Sequence, residues 1–293
     1  MYEYSIAGLT LRCQMDLVAM GLRGFKPFEV GDGMNDGDCT LMFDADVCMS
    51  RYSATATLAT SYLAEADAES EFMRSERGYL YCIKRRGERS KDVVFHIDTS
   101  SWVIETNMQV EDGVDIAILR FGIWVMFGVV LCVNDAIAIH SSAIVVSNRC
   151  ALFLGESGTG KSTHTRLWIK HIDGAKLLND DSPIVRVVNN EVVVYGSPWS
   201  GKTPCYKSES YPLAGLCRLE QAPYNRIEAL ATIPAIGALL PSCPPIFAHD
   251  EVLQDRICTT VGRILRKVRA YRLACLPDEA AAQMSYKTIV AND

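Results

Sequence analysis

Two kinds of hydrophobic pattern divide the chain. Up to residue 111 the apolar residues come in short runs rich in aromatic and β-branched side chains. Tyr79-Leu80-Tyr81-Cys82-Ile83 and Val93-Val94-Phe95-His96-Ile97 are the clearest, and they flank the polar stretch Lys84 to Lys91. Runs of this length and composition, bounded by polar segments, predict paired strands. The basic stretch between them reads as a solvated hairpin tip. From residue 112 the pattern becomes helix, strand, strand, helix, with Ile116–Val133 and Lys161–Ile172 as helices and Ala138–Val146 and Cys150–Leu154 as strands. That alternation predicts an α/β core. Near the end, Leu253, Ile257, Val261, Ile264, Leu265 and Val268 recur at three- and four-residue intervals with Arg256, Arg263 and Lys267 between them. This is an amphipathic helix with a buried stripe and a solvated basic side. The expected organisation is an N-terminal β-rich domain over 1–111 followed by an α/β domain over 112–293.

The segment Ile116–Val133 has about the minimum length for crossing a bilayer. Arg120 lies in its first turn or so, and Asn134-Asp135 closes it without a basic flank. A helix buried against the α/β core is therefore expected in preference to a membrane span.

Composition narrows the function classes. Of 293 residues, 49% are hydrophobic and 22% charged, which excludes disordered and fibrous classes. The net charge of −6 is the reverse of what a binder of phosphate backbones carries, so no nucleic-acid partner is expected. Eleven cysteines are scattered from Cys13 to Cys275 without Cys-x-x-Cys spacing. They read as reduced, mostly buried thiols of a cytoplasmic protein. Met1 to Gly8 holds an early acid and no basic run leading into an apolar segment, so no secretory signal is expected there.

The strongest chemical signal is Gly155-Glu156-Ser157-Gly158-Thr159-Gly160-Lys161-Ser162-Thr163, a full Gly-x-x-x-x-Gly-Lys-Ser pattern between an apolar strand and a helix-competent segment. Glycines in such a loop let successive N–H groups converge on phosphate oxygens at the positive end of the following helix. Lys161, expected on the solvent side of the loop, would hold the β- and γ-phosphates, and Ser162 would ligate Mg²⁺. Asp180-Asp181 follows the apolar run Ala175 to Leu178, about 20 residues beyond Lys161. That separation suits one helix, a turn and a strand returning beside the first. Two carboxylates at a strand end can divide the work, Asp181 holding the metal while Asp180 takes a proton from an attacking hydroxyl. His140, on the strand before the loop, could orient an aspartate or contact substrate. Gly196-Ser197-Pro198-Trp199-Ser200-Gly201-Lys202-Thr203 reads either as a phosphate or substrate loop or as an ordinary turn with a buried Trp.

In this order and spacing, His140-Ser141-Ser142, the phosphate loop, Asp180-Asp181 and the Gly196–Lys202 loop resemble the catalytic domain of the HPr kinase/phosphorylase family and its relatives. That domain is itself similar to the nucleotide-binding core of ATP-dependent phosphoenolpyruvate carboxykinase. The resemblance covers about residues 112–290. It implies a P-loop kinase domain of that type, with ATP and Mg²⁺, Asp180 as the base that activates an acceptor serine, Asp181 beside the metal, and His140 and Lys161 in the catalytic centre. Contacts to nucleotide are implied for Gly155, Ser157, Gly158, Thr159, Gly160, Ser162, Thr163 and Lys202. Thr163 stands where HPr-directed members usually have Glu, their later glycine- and arginine-rich signature is absent, and the N-terminal region differs from theirs. These departures point away from HPr and toward the serine-kinase-like branch, which phosphorylates free serine or serine in a peptide; Leu219 to Pro223 and Leu273 to Glu279 are similar to that group. The expected protein is a cytoplasmic Mg-ATP-dependent kinase acting on a serine-bearing small molecule, peptide or protein, with homo-oligomers common among its relatives. Two other readings remain open: a nucleotide-binding regulator without transfer, and a carboxykinase-like enzyme, for which the sequence displays no second-metal cluster of His, Lys and Asp.

Overall fold

A computed structural model describes residues 1–31, 37–85, 92–108, 115–201 and 203–291. The protein is mixed α/β and divides into two units, one of Met1–Val133 with Ile246–Gln254, the other of Asn134–Pro245 with Asp255–Asp293.

The first unit holds β1 (Tyr2–Ile6), β2 (Leu9–Cys13), β3 (Glu29–Val30), β4 (Cys39–Phe43), β5 (Ala54–Leu63), β6 (Ala68–Ser75), β7 (Gly78–Arg85), β8 (Val93–Asp98), β9 (Val103–Thr106) and α1 (Ile116–Val133). Its described strands form one sheet in the order β3-β1-β2-β4-β9-β8-β7-β6-β5. The two aromatic runs are strands β7 and β8, paired antiparallel with Tyr79 opposite Ile97 and Tyr81 opposite Phe95. Such cross-strand pairs of aromatic and β-branched side chains stabilise a ladder. The hairpin tip expected between them falls on 86–91, outside the described residues.

The apolar helix differs from expectation. It belongs to the β-rich unit, where it lies on β7 and β8. The reason is the aromatic face it covers. A Cβ on Gly122 would stand 2.2 Å from the Phe95 ring, so only glycine lets the helix approach that closely. Phe72 and Phe247 meet edge to face at 5.5 Å in the same unit, and a Cβ on Gly128 would come 2.9 Å from the Phe247 ring. The boundary expected near residue 112 falls within 109–114, outside the described residues. Among the described residues α1 is long and apolar enough to cross a membrane, and 67% of it is buried in this fold. The protein is expected in the supernatant when a detergent-free lysate is ultracentrifuged; recovery of folded protein only from membranes would contradict the packing of α1 on this sheet.

The second unit holds β10 (Ala136–Ala138), β11 (Ser141–Val146), β12 (Arg149–Leu154), α2 (Lys161–His171), β13 (Lys176–Asn179), β14 (Ile184–Val188), β15 (Glu191–Tyr195), β16 (Ser210–Gln221), β17 (Arg226–Ala229), α3 (Thr232–Leu239), α4 (Glu251–Leu265, which begins in the first unit), β18 (Ala270–Cys275) and α5 (Glu279–Ile289). The strand order is β10-β14-β15-β16-β12-β11-β13, with β18 pairing β16 and β17. The single strand expected over 138–146 is two. The chain leaves its pairing with β14 at Ala138 and joins β12 from Ser141 and β13 from Ala143, while Ile139 N–H donates to Pro183 O at 3.0 Å and His140 N–H to Ser242 O at 2.7 Å. Phe153 and Trp168 pack edge to face at 5.5 Å in a core with Ile144, Tyr271, Leu273 and Ile289, which seats α2 and α5 on the sheet. The C-terminal amphipathic helix is α4, with Leu253, Ile257, Val261 and Ile264 buried. Of its interleaved basic residues, Arg263 pairs with Asp135 at 2.6 Å. Among the described residues no cysteine forms a disulfide, and most of the eleven are buried.

Candidate active site

The Gly-rich loop spans the turn from β12 into α2. Gly155, Gly158 and Gly160 have φ of 146°, 86° and 103°, a region that side chains with a Cβ rarely enter. Helix α2 starts at once: His164 N–H donates to Gly160 O at 2.8 Å, and the loop closes on itself through Thr159 Oγ1 donating to Glu156 O at 2.9 Å. The first N–H groups of α2 have no intrahelical partner, which makes this end a site for anions.

Lys161 departs from expectation. It is buried, not on the solvent side, and its ammonium donates to Gly155 O at 2.7 Å, to Glu156 O at 3.2 Å and to His140 Nε2 at 3.0 Å. Burial pushes the ammonium below its ordinary pKa, and the nearby Asp181 and Asp180 oppose the shift. An ammonium can only donate, so His140 Nε2 is the acceptor in this bond. Nδ1 lies 3.4 Å from Asp181 Oδ1. The imidazole thus links the loop lysine to the second aspartate. His140 occupies the gap between β10 and β11 rather than a strand interior.

Asp180 and Asp181 follow the end of β13. Asp180 Oδ1 accepts from Ser142 Oγ at 2.5 Å, and Ser142 Oγ is 3.4 Å from Thr165 Oγ1 on α2. A strand serine and a helix threonine therefore fix the carboxylate beside the loop. Asp181 O accepts from Ser141 N–H at 3.1 Å. The Gly196–Gly201 loop lies against the pair: a Cβ on Gly201 would stand 3.3 Å from that of Asp181. Trp199 of that loop is buried, and Lys202 lies outside the described residues. Ser162 is exposed at the start of α2, and Thr163 accepts from Arg166 at 3.4 Å.

Two residues escape sequence reasoning. Asn179 is fully buried; its Oδ1 accepts from Asp181 N–H at 2.9 Å and Ser182 N–H at 2.8 Å, and its Nδ2 donates to Trp199 O at 2.9 Å and Ser197 Oγ at 3.2 Å. It pins the aspartate turn to the Gly196 loop. An Asn just before Asp-Asp at a strand end is the available signal, since Asn side chains bond backbone N–H groups two residues on. Asn179→Ala is expected to lower unfolding free energy in urea by about 2–4 kcal/mol, because buried partners on both sides lose their bonds. A loss below about 1 kcal/mol would contradict that role. The second residue is Arg218, which stands opposite Leu154 in the parallel β12–β16 pairing and lies 3.7 Å from Glu156 of the loop. Nothing in its local sequence marks it; the register alone brings a guanidinium beside the glycine-rich loop.

His164, by contrast, is structural. Burial lowers its pKa to about 4, and its Nε2 is 2.9 Å from Ser285 Oγ, which also accepts from Trp168 Nε1 at 2.9 Å. Beyond Gly158 and Gly160 opens a cleft of about 620 Å³, lined also by Leu219, Gln221, Pro223 and Leu276. Gln221 Nε2 donates to Gly158 O at 3.1 Å and fixes the loop against the end of β16. An apolar cleft contiguous with a helix N-terminus has the form of a small-molecule site.

No family model and no curated protein matches the chain. Among solved structures it is similar to the HPr(Ser) kinase/phosphatase from Coxiella burnetii, with 14% identity and a TM-score of 0.29 over 52% of this chain and 93% of that one. What the site can do follows from its own residues.

Proposed function

We propose that the chain is a Mg-ATP-dependent kinase that transfers a phosphoryl group to a serine hydroxyl. One observation supports it above the others: Asp180 and Asp181 lie beside the glycine-rich loop, with His140 bonded to Lys161 at 3.0 Å and 3.4 Å from Asp181. In this reading the loop N–H groups and the start of α2 bind the triphosphate. Lys161 exchanges the Gly155 and Glu156 carbonyls for β- and γ-phosphate oxygens. Asp180, fixed by Ser142, accepts the proton of the acceptor hydroxyl during in-line attack. His140 keeps Lys161 and Asp181 in register.

The donor set suits Mg²⁺, which takes hard oxygen ligands and is usually held by one or two carboxylates plus phosphates. Asp181 and the Ser162 hydroxyl would hold it, and it would neutralise charge on the phosphates. Among the described residues no group of three His, Cys, Asp or Glu side chains forms a metal site, so nucleotide and water would have to supply the remaining ligands. The acceptor is a serine-bearing small molecule, peptide or protein, and the setting is the cytoplasm. The test is incubation with γ-labelled ATP, Mg²⁺ and a cell extract, then identification of the labelled product. Label on a serine hydroxyl is expected; ATP binding with no labelled product would instead favour a nucleotide-responsive regulator.

A further inference from the structure

The first unit contains a polar pocket of about 350 Å³ that the kinase reading does not use. Its floor is His96 on β8, which is 2% exposed and stacked on Tyr52, with ring centroids 3.8 Å apart. His96 Nε2 lies 3.3 Å from Ser75 Oγ, while Nδ1 is buried with no hydrogen-bond partner among the described residues. Opposite His96 in the β8–β9 register stands Glu105.

Among the described residues that carboxylate has one hydroxyl donor and shares its cation with another acid. Arg51 is committed to Asp44 at 2.7 Å, and Arg77 at the rim to Asp98 at 2.6 Å. Glu105 Oε2 accepts from Tyr52 Oη at 2.6 Å. Arg51 Nη2 forms a longer ion pair with Oε1 at 3.7 Å, without a hydrogen bond. Glu105 Oε2 and His96 Nδ1 are 3.8 Å apart. That gap is too long for a bond between them, but it is a spacing at which one N–H-rich cation can donate to both. Burial pushes His96 below its ordinary pKa, so the ring is neutral and can present Nδ1 as an acceptor.

We propose that this pocket binds the primary ammonium group of a small ligand, held between Glu105 and His96 Nδ1. A trimethylated cation has the charge but no N–H and does not satisfy the site. A carboxylate on the same ligand would meet Arg77 at the rim, whose side chain is 71% exposed and would then be shared with Asp98. The proposal is independent of phosphoryl transfer.

The test is calorimetric titration of the full chain with methylammonium, putrescine, glycine, serine and lysine, with tetramethylammonium and acetate as controls. At least one primary amine is expected to bind, and the controls are not. Glu105→Gln, which keeps the shape and the Tyr52 bond, is expected to weaken binding at least about tenfold, the scale of one charge-assisted hydrogen bond. If the ligand is a free amino acid rather than a simple amine, Arg77→Gln also weakens it; if it is an amine, Arg77→Gln leaves it unchanged. Nitrogen NMR of the parent gives a readout that needs no variant: His96 Nδ1 is expected to shift at saturation. Absence of binding by every primary amine, equal binding of tetramethylammonium, or an unmoved Nδ1 resonance would overturn the assignment.

Discussion

Asp180→Asn is expected to bind Mg-ATP almost as well as the parent and to lose phosphoryl transfer by about 10²–10⁴-fold, the usual contribution of general-base catalysis. An amide is nearly isosteric with the carboxylate and can keep its oxygen toward Ser142, whose hydroxyl donates to Asp180 Oδ1 at 2.5 Å. It cannot take up the acceptor proton. Asp181→Asn is expected to behave differently, because it removes a negative oxygen from the proposed metal site and from opposite His140 Nδ1, 3.4 Å away. The Mg²⁺ concentration for half-maximal rate should rise along with the loss of rate. A metal titration of both variants, with the acceptor present, separates the two roles. Parental turnover in Asp180→Asn would remove it as the base and make His140 the next candidate. Parental turnover and metal dependence in both would reduce the pair to an acidic turn.

Lys161→Ala should lower affinity for ATP by about 100-fold or more, as expected from losing two charge-assisted hydrogen bonds to phosphate. The burial of Lys161 changes what must be measured beside it. Its ammonium is bonded to two loop carbonyls and to His140 Nε2, so the substitution leaves acceptors behind as well as removing a charge. Against that loss, a partly desolvated cation no longer has to be accommodated. The two effects oppose each other, and the melting temperature is expected to stay close to that of the parent while nucleotide binding is lost. Calorimetric titration and thermal unfolding on one preparation decide it. Unchanged ATP affinity in the folded variant would refute the phosphate-loop assignment.

Sequence by itself determined the features whose cause is local. The glycine-rich loop is contiguous, its glycines are required by positive φ, and helix α2 begins at Lys161 as the pattern predicts. The apolar run becomes α1 with the expected ends, and the spacing of Leu253, Ile257, Val261 and Ile264 becomes the buried stripe of α4. Helical periodicity and glycine sterics act over a few residues, so a one-dimensional pattern suffices to express them. Tertiary structure decided everything that depends on register and partner. It broke the strand expected over 138–146 and set His140 in the gap, because Ile139 and His140 bond to Pro183 and Ser242 instead of to a ladder. It laid α1 on the aromatic face of the first sheet, where Gly122 admits the Phe95 ring. It turned Lys161 inward, brought Arg218 beside the loop through its pairing with Leu154, and made Asn179 the pin of the aspartate turn. Those outcomes rest on pairing between segments far apart in the chain, where a shift of one residue turns every side chain to the other face.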